Sequence, residues 1–237
     1  MKSIRVELIL EPAVDPRAIV GGLAKLTQVR QSFALADIAK GEVLIDSLAT
    51  MGHTGLLEPL RFAVIIHGAS RIFLTQITRH RQASYVSQSQ QYQDQTCFPY
   101  VILPELEQGN DELAIAYHEF MTASERLYRL MKASGIPRDQ ARYVVPGAAR
   151  NDLFIDANAR EWIEVIFPQR LCKRNTYETQ LVTRKVLELF CVNYEYLFKH
   201  AGPPCLNSGE CDQGKMSCKK PFRTFSELII GEPSSCE

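Results

Sequence analysis

Residues 79–92, RHRQASYVSQSQQY, constrain the fold of this chain more than any other stretch. Three cation-capable side chains come first, then hydroxyls, amides and a tyrosine, and almost none of them suits a hydrophobic core. The run before them, LRFAVIIHGASRIFLTQIT, is rich in isoleucine. A polar, basic loop held against an apolar scaffold is how anion-binding and catalytic sites are commonly built.

Lysine plus arginine equals aspartate plus glutamate, 27 each, so the formal net charge is zero. A general attraction to nucleic acid or membrane is not indicated, and an anionic ligand must be held by a local arginine cluster. Arg79, Arg81, Arg142, Arg160, Arg170 and Arg174 are the candidates, each beside Gly, Pro or polar residues at an expected element end. Guanidinium forks bind phosphate through two parallel hydrogen bonds and stay charged when partly buried. Spacing alone also fits ordinary solvated charges. His80, flanked by two arginines, is expected to be neutral at pH 7, suited to hydrogen bonding or stacking. Ser84, Ser87 and Ser89 lack a G-x-S-x-G elbow and a nearby His–Asp pair, so phosphate or base binding suits them better than nucleophilic attack.

Alternation from Ile4 to Leu10 predicts a strand, and Asp15-Pro16 a helix start with Ile19, Val20, Leu23, Ala24 and Leu26 inward. A second helix is expected over about 40–48, with Val43, Leu44 and Leu48 inward. Leu60 to His67 reads as a strand broken by Gly68, and Ser70 as the cap of a helix that carries Gln76 and Arg79 one turn apart. The clearest helix begins at Asn110 and stops at Gly135. Leu153 to Ile155 is extended, a helix from Glu161 is interrupted at Pro168, and a long helix spans about 176–200. A few strands with several long helices make the class α+β.

A hydrophobic content of 46% over 237 residues is ample for a core. No apolar run approaches the roughly 20 residues that span a bilayer, and MKSIRVELIL reads as a strand, not a leader. A cytoplasmic protein is expected. Of seven cysteines, Cys205, Cys211 and Cys218 crowd one tail. They lack the close pair of a structural zinc site, so free thiols are the expectation.

Together these residues resemble the flavin-dependent thymidylate synthase family, which is marked by RHR, seven residues, then Ser: here Arg79-His80-Arg81, QASYVSQ and Ser89. GHTGLLE, ARYVVPGAA, NAREW and RLCKRNTYE resemble further family segments in the same order, and the cysteine tail resembles one found in some members. The resemblance implies an α+β catalytic domain, residues 1–204, with a central, mainly antiparallel sheet flanked by long helices, assembled as a homotetramer with active sites between subunits. Residues 205–237 would be a Cys-containing tail. It further implies that reduced FAD, made with NADPH, and methylenetetrahydrofolate convert dUMP to dTMP. Gln76, Arg79, Ser89 and Arg142 match nucleotide-binding positions, and Ser87, Gln88, Gln90 and Gln91 stand in the same phosphate loop. Glu58, Arg79, His80, Arg81, Asn158, Arg160, Arg170 and Arg174 match positions at the flavin, with Arg170 the catalytic arginine between flavin and uracil. No metal is expected.

The chain departs from the family pattern at several points. Gln91 stands where an arginine usually helps hold the substrate phosphate, a loss of about 1.5–3 kcal/mol for one charge-assisted hydrogen bond. Gly55 replaces a Ser or Thr, Pro59 a His, and Asn175-Thr176-Tyr177 the usual Ala-Gln-Trp. One extra residue lies between Arg160 and Arg170, which displaces Arg170 or bulges its helix. These changes motivate two alternatives: a variant acting on another pyrimidine nucleotide such as UMP, and a non-catalytic flavin- or nucleotide-binding relative.

Overall fold

The computed structural model describes residues 4–30, 32–107 and 111–230, apart from the side chains of Thr50 and Asp111. Asn110 and residues 231–237 of the tail lie outside the described residues. The centre is a four-stranded antiparallel sheet in the order β1-β2-β4-β3: β1 (Arg5–Leu10), β2 (Arg61–Ser70), β3 (Ser84–Ser87) and β4 (Arg150–Asn158). Strands β2 and β4 sit in the middle, and their inward alternation of Phe62, Val64 and Ile66 with Leu153, Ile155 and Ala157 buries one face completely. Gly68 does not break β2. With φ +75° it sits in a bulge between Ile66 and Ala69, and pairing resumes to Ser70.

Helices α1 (Pro16–Gln28) and α2 (Ile38–Met51) pack as a pair. Glycine allows their closeness, since a Cβ on Gly41 would stand 2.0 Å from the Arg17 carbonyl oxygen. Val20, Ala24 and Leu48 are buried as expected and Ile19, Leu23 and Leu44 half-buried, but Leu26 and Val43 are exposed and Ile45 is buried in their place. α3 (Arg71–Ile77) follows β2, capped by the Ser70 hydroxyl. α4 (Pro104–Glu107) is a single turn. α5 (Asp111–Ala133) buries Met121 and Tyr128 but leaves Leu113, Ile115, Phe120, Leu127 and Leu130 exposed. α6 (Arg138–Ala141) leads to a 3-10 turn, Arg142–Val144.

After β4 comes one continuous helical path: α7 (Ala159–Glu161), a π turn (Trp162–Ile166) and α8 (Phe167–Arg170). The Phe167 N–H donates to the Trp162 carbonyl, an i→i+5 bond. The wider turn absorbs one residue and accommodates Pro168, which has no N–H to give, so the helix is bulged and not interrupted. The long α9 (Tyr177–Phe198) starts at the Thr176 cap and kinks at Tyr194. Its Phe190 and Phe198 close an aromatic cluster with Phe62, Trp162 and Phe167, and the Trp162 indole N–H donates to the Phe62 carbonyl at 3.1 Å. The tail adds two short helices, α10 (Pro204–Ser208) and α11 (Phe225–Ile230).

Candidate functional site

Arg170 ends α8, one turn past the π turn, and is only 9% exposed. Its Nε donates to His80 Nε2 at 2.8 Å and its Nη1 to the Gln76 side-chain oxygen at 3.4 Å. Both partners are neutral. Burial pushes the Arg170 pKa below the ordinary arginine value. His80 is 4% exposed, and burial, then the Arg170 charge, brings its pKa down to about 4. The histidine is therefore neutral, as expected, but its flanking arginines are not the cause. With Nε2 accepting, the remaining proton belongs on Nδ1, which faces Glu161 Oε1 at 4.0 Å. Tyr85 anchors the backbone beneath, its hydroxyl lying 2.8 Å from the Ile77 carbonyl and 3.0 Å from that of His80. Glu161, His80 and Arg170 thus form a buried chain that aims one guanidinium.

That guanidinium borders a cavity of about 530 Å³, lined also by Gln76, Arg174, Pro168, Pro203 and Pro204. Its lining thus combines three prolines with the cations Arg170 and Arg174. Arg79 and Arg81 lie just past the end of α3, exposed, and among the described residues neither has an ion-pair partner. Arg79 therefore does not share a helical face with Gln76.

The other end of the path differs. Arg160 Nη1 lies 2.5 Å from Glu58 and its Nε 2.7 Å from Glu164, and the Thr54 hydroxyl bonds Glu164. Glu58, Arg160 and Glu164 line, with Gln82, Asn158, Glu161 and Val165, a cavity of about 180 Å³. Two carboxylates already answer the charge of Arg160, which the resemblance places at the flavin. Asn158 caps α7, its side-chain oxygen accepting from the Glu161 N–H at 2.7 Å.

The segment expected as a loop begins as the edge strand β3. Gln88 prolongs the ladder: its N–H donates to the Asp152 carbonyl, its side-chain oxygen accepts from the Asp152 N–H, and its carbonyl takes Arg71 Nη1 at 2.9 Å. That side-chain oxygen is committed to the strand pairing, while no hydrogen bond of the side-chain NH2 is among those of the described residues. Ser87 ends β3, pairing with Leu153. Beyond it, Ser89 Oγ accepts from the Gln91 N–H, and the Ser89 carbonyl from Gln93, closing a tight turn over Gln90 and Gln91. Arg138 Nη1 donates to the Tyr92 carbonyl at 3.2 Å, and Arg142 Nε to the Asp139 carbonyl. Burial, then repulsion from Arg142, lowers the Arg71 pKa. Two neighbouring guanidiniums, Arg71 and Arg142, thus lie near the segment that leads into the turn. Arg71 and Arg138 escape sequence reasoning, although Arg71 directly follows the capping Ser70 and so opens the helix that leads to the polar segment.

A model of the family described as thymidylate synthase complementing protein matches residues 15–192. The chain is 32% identical over 234 residues to the flavin-dependent thymidylate synthase of Geobacter sulfurreducens, covering 94% of this chain and 98% of the relative. It is 31% identical to that of Clostridium tetani, over 92% of this chain and 94% of the relative. With that of Pyrococcus abyssi it shares 32% identity over 77% of this chain and 78% of the relative. On a match that spans α1 through most of α9 and includes both arginine clusters, this chain belongs to the thymidylate synthase complementing protein family.

Proposed function

We propose that the protein is a flavin-dependent thymidylate synthase that makes dTMP from dUMP, with methylenetetrahydrofolate as carbon donor and NADPH as reductant. The observation that carries this reading is Arg170, a buried cation whose hydrogen-bond partners among the described residues are neutral, at the edge of the large cavity. Such a group holds its full field for a ligand, and it stabilises negative charge as it develops on a pyrimidine carbonyl. Gln76 and His80 fix its direction, so little reorganisation is needed at the moment of reaction. Arg79, Arg81 and Arg174 fit the FAD diphosphate, and the proline-lined cavity fits its ring system. Bound and reduced, FAD supplies the hydride that completes the methyl group.

The substrate phosphate belongs, in this reading, on the Ser89–Gln91 turn. Arg71, Arg138 and Arg142 stand around it and supply the positive charge that Gln91 does not. No enzyme nucleophile is required, which agrees with Ser89 Oγ capping a turn. The proposal includes a homotetramer with shared sites. It is supported by the bare face of α5, where Ile115, Ala123, Leu127 and Leu130 line an apolar groove of about 540 Å³. It also includes a cytoplasmic location without membrane or nucleic-acid partners. Among the described residues no helix is long and apolar enough to cross a membrane.

The test is turnover by purified, FAD-loaded protein with NADPH and methylenetetrahydrofolate, comparing dUMP with UMP. Formation of dTMP with strong preference for dUMP is expected. Equal methylation of UMP, or flavin binding with no methylation of either nucleotide, would overturn the proposal.

A further inference from the structure

Four cysteines from two distant parts of the sequence gather beside the large cavity. Cys172 lies in the turn after α8, Cys205 in α10 and Cys211 in the loop behind it, and all three line that cavity. Cys218, in the following turn, is near enough to Cys172 and Cys205 to interact with both electrostatically. None of the four is in a disulfide. Cys97 and Cys191 stand apart, on the loop beside α5 and on α9.

The backbone around these sulfurs is ordered in a repeating way. The Arg174 N–H donates to the Cys172 sulfur, and the Gln213 N–H to the Cys211 sulfur, each from two residues further on. Cys211 also receives the Ser217 side chain and the Cys218 N–H, and Cys205 the Phe222 N–H. Such N–H···S bonds orient thiolates as metal ligands and share their charge. Lys219, next to Cys218, holds φ at +57°, a conformation of a non-glycine residue that persists only where its surroundings fix it.

Among its described residues the tail is held by a small set of contacts, with Leu206, Phe225 and Ile229 packed half-buried on the core and Glu227 paired with Lys173 at 3.1 Å. Between Pro204 and Ile230 the buried apolar side chains are Cys205, Phe222 and Leu228, and the helices are single turns or little more. Small segments with so thin a core are commonly stapled by a metal or by disulfides. Lys173 and Arg174 follow Cys172, Lys215 precedes Cys218, and Lys219 and Lys220 follow it. These cations offset the excess negative charge that four thiolates leave on a divalent ion.

We propose that Cys172, Cys205, Cys211 and Cys218 form a tetrathiolate zinc site that fastens the C-terminal tail to the turn after Arg170. An all-sulfur, four-ligand set without histidine is the donor chemistry of structural zinc. The site forms with its ion: among the described residues no three His, Cys, Asp or Glu side chains already converge to hold a metal. The thiols swing about their single side-chain torsion, and each releases its proton to solvent as its S–Zn bond forms. The spacing within the tail hides the site because its fourth ligand, Cys172, lies far upstream. Bound zinc would fix the cavity wall that faces Gln76 and set the backbone two residues beyond Arg170.

Metal content settles the proposal without substrate or turnover, so its outcome is separate from that of the proposed reaction. Full-length protein, expressed with zinc and purified without chelators, is expected to carry about one zinc per chain by mass spectrometry. Cobalt(II) added to metal-stripped protein should give a thiolate-to-cobalt charge-transfer band. C172S and C218S should each lower zinc to under about a tenth per chain, while C97S leaves it unchanged. C218S, in a half-exposed turn, is read beside circular dichroism, so that metal loss with the fold intact is distinguished from unfolding. Native protein without zinc and without the cobalt band would overturn the proposal, as would a C218S protein that keeps its zinc. Stoichiometric iron with acid-labile sulfide would overturn the choice of ion.

Discussion

Arg160 and Arg170 flank the same π turn and have opposite surroundings. The Arg160 side chain is 42% exposed and clamped between Glu164 and Glu58, which in that order raise its pKa. Arg170 is buried between a neutral histidine and a neutral amide, and burial lowers its pKa. A guanidinium matched by two carboxylates presents little net field. One held by neutral partners in a low dielectric presents nearly all of it. Burying an unmatched charge opposes folding, and such conflicts are expected at functional sites. Counting arginines therefore overstates the cations available at one end of this helix.

The largest expected effect follows directly. R170A should lower kcat by about 10²–10³-fold, the usual scale for losing one preorganised electrostatic contact. The same change should leave the thermal midpoint level or raised, because it removes a buried unmatched charge. Steady-state kinetics beside calorimetry check both halves. A collapse of the fold in R170A, or an equal loss of kcat in R160A, would break the contrast between the two arginines.

His80 gives the next effect, through pH. Its folded pKa of about 4 lies below its ordinary 6.5, so between these values the unfolded chain binds more protons. Stability should thus be constant above about pH 6.5, fall as pH drops from there to 4 and level off below it, a loss of up to about 3 kcal/mol. H80Q offers Arg170 Nε a neutral acceptor that does not titrate. It should flatten this acid limb and lower kcat by roughly 10-fold, since Arg170 loses its exact aim. Urea midpoints from pH 4 to 8 for both proteins check the assignment, and an undiminished slope in H80Q would refer the effect to other groups.

What the sequence made legible was local. Alternation in β1, the Ile-rich run of β2, the Ser70 cap and the long period of α9 each depend on neighbours a few residues away. The extra residue before Arg170 was legible too, and it reappears as the π turn. What stayed hidden was set at a distance. Ser84-Tyr85-Val86-Ser87 is too short and polar to read as a strand and becomes one only because β4 supplies its partners. Gln88 looks like any polar loop residue until Asp152 takes both its backbone and its side chain. At the site, Arg160 and Arg170 were both visible as candidates, whereas Arg71 and Arg138 were not, and which of the two visible ones kept a free charge depended on Glu58 and Glu164 folding onto Arg160.

The smallest effect sharpens the contrast most. E58Q removes one of the two carboxylates on Arg160 while keeping the side chain's shape. Because Glu58 and Arg160 are both well exposed, the lost pair should lower stability by less than about 1 kcal/mol, and by less still in high salt. If the small cavity held an anionic group against Arg160, freeing that cation would tighten flavin binding several-fold. If instead Arg160 serves only to tie Glu58 and Glu164 to α7, the flavin Kd should move by less than about threefold. The second outcome is expected, because Glu164 still lies 2.7 Å from Arg160 Nε and continues to hold it. Flavin fluorescence titration of E58Q against the native protein reads the difference. A several-fold tightening would return Arg160 to the set of cofactor-binding cations.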